Sequence, residues 1–478
     1  MDNGLTSAIA ANRFGLGARP GELAAIGGSG LDWLRAQLDG PAPEIGGDGL
    51  QSSASLLTQI YDLRRTIQAE RMRAAAARSV DERQAAAGSA AAIGAFKKLP
   101  QLIRPVYLAE AGARFRHSVS TDRPFIERLA QFWSNHFAVS VDKGVLAALA
   151  GSYEREAIRP YVLGNFSDML IATQRHPAML LYLDNEMSMG PDSRAARNIE
   201  RRNPGRRPGI NENLARETLE LHTVSVDGGY TQADVTALSK VLTGWSIAGP
   251  EAWRFGQRPG TFLFRAAMHQ PGPQVVMGKR YPDTGYDQGV AVLRNLAARP
   301  STARFIATKL ARHFIADAPP APAVDRVAAA FSRSKGDLPT VYRALIGSPE
   351  AWEQPVSKFK TPSDFIVSSF RGLALPIRPE KAPVWLFQLL GQRIWCPGSP
   401  AGWPDGSADW DGASELLKRI EWADAVGQRI GPRRDARQLA PRLLGSVLSA
   451  TAREAIAHAE SAAQAVTLLL AAPEFLRR

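Results

Sequence analysis

The sequence predicts a mainly α-helical fold, one large multi-helix domain over residues 1–478 with a small β-hairpin insertion. Three observations lead to this. Ala- and Leu-rich stretches at the helical period dominate, whereas alternating runs of Val, Ile and Thr are scarce. Hydrophobic residues make up 45% of 478 residues, enough for a sizeable core. No apolar run approaches the roughly 20 residues that a membrane-spanning helix needs.

Taken in order, residues 53–93 read as one or two long helices, after which Pro100 and Pro105 punctuate the chain. Residues 106–117 and 122–138 read as helices, the second opened by an Asp122 cap with Pro124 in its first turn. Residues 190–209 carry three Pro, three Gly and the cluster Arg194, Arg197, Arg201, Arg202, Arg206 and Arg207, which predicts an Arg-rich loop. Residues 209–245 read as a helix near 212–222, a Gly228-Gly229 turn, and a helix opened by the capping box Thr231–Asp234. Residues 255–285 are the best candidate for strands, a small β insertion. Residues 397–412 form a long Pro/Gly/Trp loop.

One pattern recurs. Gly164-Asn165-Phe166 leads to His176-Pro177, and Gly336-Asp337-Leu338 leads to Ser348-Pro349 at the same spacing; a weaker copy runs from Ser461 to Pro473. Asn165 and Asp337 are expected N-caps. The repeat suggests a duplicated helical unit in which His176 is not needed, since Ser348 and Ala472 stand in its place.

Composition narrows the function. Net charge is +12, yet only 11 of the 58 basic residues are Lys and they lie scattered, with no stripe interleaved with aromatics. Nucleic acid is therefore not the expected partner. The single cysteine, Cys396, allows no intrachain disulfide, iron–sulfur cluster or multi-thiolate zinc site. The start, MDNGLTSAIAANRFGLGARP, lacks a basic segment followed by an apolar one, so the chain as given reads as cytoplasmic. A Gly-x-Ser-x-Gly elbow, a Walker loop and a dinucleotide fingerprint are all missing, so nucleotide-dependent chemistry is not expected.

The densest polar stretch is GINENLARETLELHTVSVDGGY. On a helix Asn213, Glu217 and Glu220 share a face, with Leu214 and Leu221 beside it. Two carboxylates a turn apart repel unless a cation or a shared proton lies between them. Arg216, directly before Glu217, is not expected to face Glu220. His222 lies two residues past Glu220, so neither the Glu-x-x-His pattern of di-iron bundles nor the zincin pattern is met. A divalent metal is one reading of the cluster; its identity is not legible. A second cluster, Asn135-His136 among Trp133 and Phe137, suits a recessed polar pocket, and His176 near Asp184-Asn185 makes a third. His269 also sits among small and aromatic residues at an element end.

The strings FWSNHFAVS, NFSDMLIATQRHPAMLLYLDN, GINENLARETLELHTVSVDGGYTQADVTALSKVLTGWS, TARFIATKLARHFIAD and AGWPDG resemble the bacterial domain of unknown function family 1800. The resemblance covers nearly the whole chain. It implies a large, mainly helical domain without an established activity. It also implies an exported protein, often encoded beside a second family related to alkaline phosphatases and sulfatases, whose product is the implied partner. This chain departs in lacking a recognisable signal. Where members read Glu-Leu-Leu-Glu-Leu-His-Thr-Leu-Gly-Val it has ETLELHTVSV, so Thr218 and Ser225 differ while Glu217, Glu220 and His222 match.

The resulting expectation is an enzyme or enzyme-like protein. Its pocket would join the catalytic candidates His136, His176, Glu217, Glu220 and His222 with the substrate-binding candidates Asn135, Asn211, Asn213, Arg216 and Tyr230. Glu217 or Glu220 would act as general base or metal ligand, with a His carrying the proton. The rival expectation is a non-catalytic partner of a neighbouring-gene product, docking through the Arg-rich loop and the loop of Trp403 and Trp410, with the polar cluster a structural network.

Overall fold

Helical periodicity and local capping chemistry account for most of the architecture. The structure is a computed structural model and describes residues 3–42, 44–77, 82–205, 209–353, 356–377 and 384–478. Among them are 23 α-helices and two small two-stranded sheets, so the fold is mainly α with a small β element. Asn165, Asp337 and Ser461 are N-caps whose side chains accept backbone N–H groups, and Thr231 with Asp234 forms the full capping box. The turns before the first two caps meet, Asn165 pairing with Asp337 in an antiparallel bridge.

Three elements differ from the sequence reading. The helices Ser53–Ala77 and Glu82–Ser120 pack against each other, and residues 78–81 lie outside the described residues. The second helix runs through Pro100 and Pro105 rather than stopping there. Each proline removes one intrahelical hydrogen bond, and contacts with the helices Leu146–Tyr153, Pro362–Gly372 and Val384–Leu389 hold the helix along its length. Asp122 does not cap the helix Pro124–His136: its carboxylate pairs with Arg19 at 2.5 Å, and Arg123 holds the cap position. The Arg-rich stretch contains a helix, Arg194–Arg202, capped by Ser193. Ala195, Ala196 and Ile199 explain it, because at helical spacing they face Met189 and Met268. Arg206 and Arg207 lie outside the described residues.

The β element starts earlier than expected. Trp245–Ile247 pairs antiparallel with Phe262–Phe264, and Gln274–Val276 with Lys279–Tyr281. The first strand is fully buried and so lacks the alternation that marks a half-exposed strand.

Two hydrophobic cores form. One gathers Phe125, Leu129, Trp133, Phe166, Leu214, Leu219, Leu310 and Tyr342; the other gathers Phe115, Phe365, Leu386, Trp422, Leu443 and Leu469. The π-helical turn Ala10–Phe14 sits at their seam, with Ala10 in the first and Ala11 in the second. Trp395 and Trp403 pack against both. Buried ion pairs brace the seam. Arg159 binds Glu127 at 2.7 Å and Glu154 at 2.8 Å, and Arg114 binds Glu154 at 2.9 Å. Burial alone would raise Glu154, yet Arg114 and Arg159 hold it down to about 2. No helix among the described residues is long and apolar enough to cross a membrane.

Candidate functional site

The polar residues singled out in the sequence fall into separate places. His136 and His222 meet, with ring centroids 6.2 Å apart. His136 ends the helix Pro124–His136, and its Nε2 donates to the backbone carbonyl of His222 at 3.2 Å, leaving Nδ1 a bare lone pair. His222 closes the π-helical turn Thr218–His222. The Gln174 amide bridges its Nδ1 and the Thr218 hydroxyl at 2.9 Å each. Burial pulls His222 down to about 3 and His136 well below its usual value, so both rings are neutral. Among the described residues His136 Nδ1 and His222 Nε2 have no hydrogen-bond partner.

His176 is held elsewhere. Its Nδ1 accepts from the Ala178 N–H at the start of the helix Pro177–Tyr182, and its Nε2 lies 3.0 Å from Glu156. His269 is buried beside Thr243, its Nδ1 3.0 Å from that residue's carbonyl.

Glu217 and Glu220 lie on the more exposed side of the turn that buries His222. Tyr230 donates to Glu220 at 2.6 Å. Arg216 pairs with Glu220 at 3.4 Å and with Glu212 at 3.3 Å, which corrects the expectation that it faces away. Four residues make about one helical turn, so Arg216 and Glu220 are neighbours. Glu217 makes no hydrogen bond or ion pair among the described residues; burial and the charge of Glu220 raise its carboxyl. Asn211 builds a turn: its Oδ1 accepts from the Asn213 N–H at 2.8 Å, and its Nδ2 donates to the Asp184 carbonyl. Asn213 itself is exposed.

A cavity of about 500 Å³ lies at the seam of the two cores. The end of the helix Pro124–His136, the helix Pro300–Phe314, the start of Pro362–Gly372 and the loop 392–409 enclose it. Of the predicted residues only Asn135 and His136 reach it. Asn135 clamps the loop: it donates to the Trp403 carbonyl at 2.9 Å and accepts from the Trp403 N–H at 2.7 Å. The loop comes close because residue 402 is Gly, at φ +83°; a Cβ there would sit 2.3 Å from the Asn135 carbonyl oxygen. Trp403 and Trp410 turn inward, their indole N–H groups bonded to the carbonyls of Arg393 and Pro404. Trp403 lines the cavity and Trp410 is buried, with ring centroids 5.9 Å apart.

Residues that the sequence reading passed over furnish the chemistry. His313 donates from Nδ1 to Asp405 Oδ1 at 3.0 Å, so Nε2 carries the lone pair, and among the described residues it has no partner. Burial outweighs Asp405 and lowers His313 to about 4, so the ring is neutral. Burial would raise Asp405, but His313, Lys358 and Arg478 hold it well below the usual carboxylate range. Asp364 pairs with Arg128 at 3.0 Å and Arg478 at 2.9 Å. Lys309, one turn before His313, lines the cavity, and burial pulls its ammonium down to about 8. A usable signal existed: Arg312 and His313 follow Lys309 by three and four residues, which puts the three on one helix face, and Asp317 follows just past the helix end. Among the described residues no group of three or more His, Cys, Asp or Glu side chains could hold a metal ion, so the metal reading of the Glu/His cluster gains no ligand set.

Neither the curated proteins nor the solved structures contain a match to this chain. A family model described as a protein of unknown function (DUF1800) matches residues 9–477. Together with the helical architecture of the same span, that match places the chain in the DUF1800 family.

Proposed function

We propose that this protein is an acid–base enzyme whose reaction takes place in the cavity at the seam of the two cores. The carrying observation is the His313–Asp405 pair: a lining histidine with one nitrogen held by a half-buried carboxylate and the other unpartnered among the described residues. That is how a general base is held in one tautomer, with a carboxylate ready to stabilise the imidazolium as it forms. Among the described residues no serine or cysteine is bonded to His313 Nε2, so the proton it takes comes from the ligand or from a water. Asn135 positions the loop that carries Asp405, and His136 borders the same space. Two cores sharing one cavity support reading residues 1–478 as a single domain.

The test is turnover of a panel of small esters, amides, phosphomonoesters and hydroxy acids by wild type, His313→Gln and Asp405→Asn. Wild-type turnover should fall by about 10²–10⁴-fold in His313→Gln with the fold intact. Equal rates in His313→Gln, or no turnover across the panel, count against the reading.

A second reading keeps the acid chemistry at Glu217. It is favoured by a raised carboxyl without a hydrogen-bond or ion partner among the described residues, next to Glu220. Glu217→Gln abolishing turnover while His313→Gln spares it would select this alternative.

A further inference from the structure

We propose that the cavity is built to take an oxyanion, the carboxylate or phosphate group of a small ligand, with Lys309 as its counter-ion. The inference rests on the cavity being the functional site and adds the class of ligand.

The argument is a census of charges around one space. Every carboxylate in the inner wall is engaged: Asp317 by Lys358 at 2.8 Å, Asp364 by Arg128 and Arg478, and Asp405 by His313. Asp409, at the exposed rim, is the one lining carboxylate without a side-chain partner among the described residues. The cations are not so balanced. Lys309 makes no ion pair and no hydrogen bond among the described residues, and Asp405 acts on it only from beyond ion-pair distance; its recorded contact is the Phe305 ring, 5.5 Å from Nζ. Arg312, three residues on and therefore on the same side of the helix, also has no ion partner among them. Arg128 Nη1 is buried and unpartnered, although its Nη2 holds Asp364 and its Nε donates to the Gly15 carbonyl.

The space therefore offers spare N–H donors and surplus positive charge, and its inner wall has no unpaired carboxylate to match them; the free lone pairs of His136 Nδ1 and His313 Nε2 belong to neutral rings. A desolvated ammonium without a partner is unfavourable, and such groups are ordinarily neutralised or paired. Bringing an oxyanion in satisfies Lys309 directly and supplies acceptors to its neighbours. A neutral ligand leaves the charge as it is, and a cationic ligand adds to it. Burial, which lowers Lys309 to about 8, still leaves it mostly charged at neutral pH. A volume of about 500 Å³ suits a small organic anion better than a polymer.

The experiment uses the full chain, with inorganic phosphate and sodium succinate as separate probes and sodium chloride as the ionic-strength control. Binding is read by calorimetry and by the shift in Tm. At least one probe should bind saturably at one site per chain, and chloride should not reproduce the effect. Lys309→Met, which keeps the hydrocarbon stem, should weaken that binding at least ten-fold. Without anion, its Tm should equal or exceed the wild type, because an unpaired charge has been removed; this separates a lost ligand from a lost fold. The probe that saturates distinguishes a carboxylate site from a phosphate site. Binding of neither probe at millimolar concentration, or wild-type affinity in Lys309→Met, overturns the inference. Turnover that needs His313 in a protein that binds neither probe would sink the oxyanion assignment and leave the acid–base reading standing. Lys309-dependent binding without any turnover does the reverse.

Discussion

At the scale of single residues, roles were set by which neighbour claimed each polar atom. His176 was legible as unnecessary to the repeated helical unit, but in this chain it caps the helix Pro177–Tyr182 and binds Glu156, so a structural task accounts for it. His313 drew no attention, because its partner Asp405 lies 92 residues further on and no local pattern announces such a pair. Ser225 is a residue-level oddity with a direct consequence. Its φ is +71°, in the left-handed region where a Cβ is crowded. Ser225→Gly should relieve that strain and outweigh the added freedom of the unfolded chain, a net gain of about 0.5–1 kcal/mol. Urea titration of the two proteins checks it; a lower midpoint for the glycine variant would show that the strain is absent.

At the scale of elements, helix starts were the most legible features. Asn165, Thr231 and Asp337 cap as expected, because capping depends on residues only two or three apart, and Ser461 caps the helix of the weaker copy in the same way. Interruptions were less legible. The helix of Glu217 changes to a π-helical turn at Thr218, which buries Leu219 and His222 and leaves Leu221 only partly buried. A regular helix over that stretch would set Leu214 and Leu221 against the core; the structure buries Leu214 and Leu219 instead. The loop 392–409 depends on a single close approach. Gly402→Ala would place a Cβ against the Asn135 carbonyl and force a left-handed alanine. It should cost roughly 2–4 kcal/mol and release the loop from Asn135. Hydrogen exchange of the Trp403 amide, now bonded to Asn135, would report the release, and unchanged protection would contradict this account.

At the scale of the whole molecule, buried titratable groups tie stability to pH. His313 and His222 are lowered from 6.5 to about 4 and about 3 by burial. Between those values and 6.5 the unfolded chain binds protons that the folded chain does not, so stability falls as pH drops through that window. Each group contributes up to about 1.4 kcal/mol per pH unit there. Urea midpoints at about pH 7 and about pH 5 should differ accordingly, and His313→Gln should flatten the dependence; an unchanged slope in that variant would mean His313 is not buried neutral. Asp364 and Asp405, held below the usual carboxylate range, add a further loss only at more acidic pH. The sequence by itself determined the helical class, the helix starts at Asn165, Thr231 and Asp337, the small β element and membership of the family, because these follow from periodicity, local capping and long contiguous strings. It also contained the polar face of Lys309, Arg312 and His313. Only the tertiary structure decided that this face, and not the Glu217–Glu220 face, borders the cavity at the seam of the two cores. The reason is physical: a cavity forms where two cores meet, and that seam joins Asn135, His313 and Asp405, residues far apart in the chain that no local pattern links.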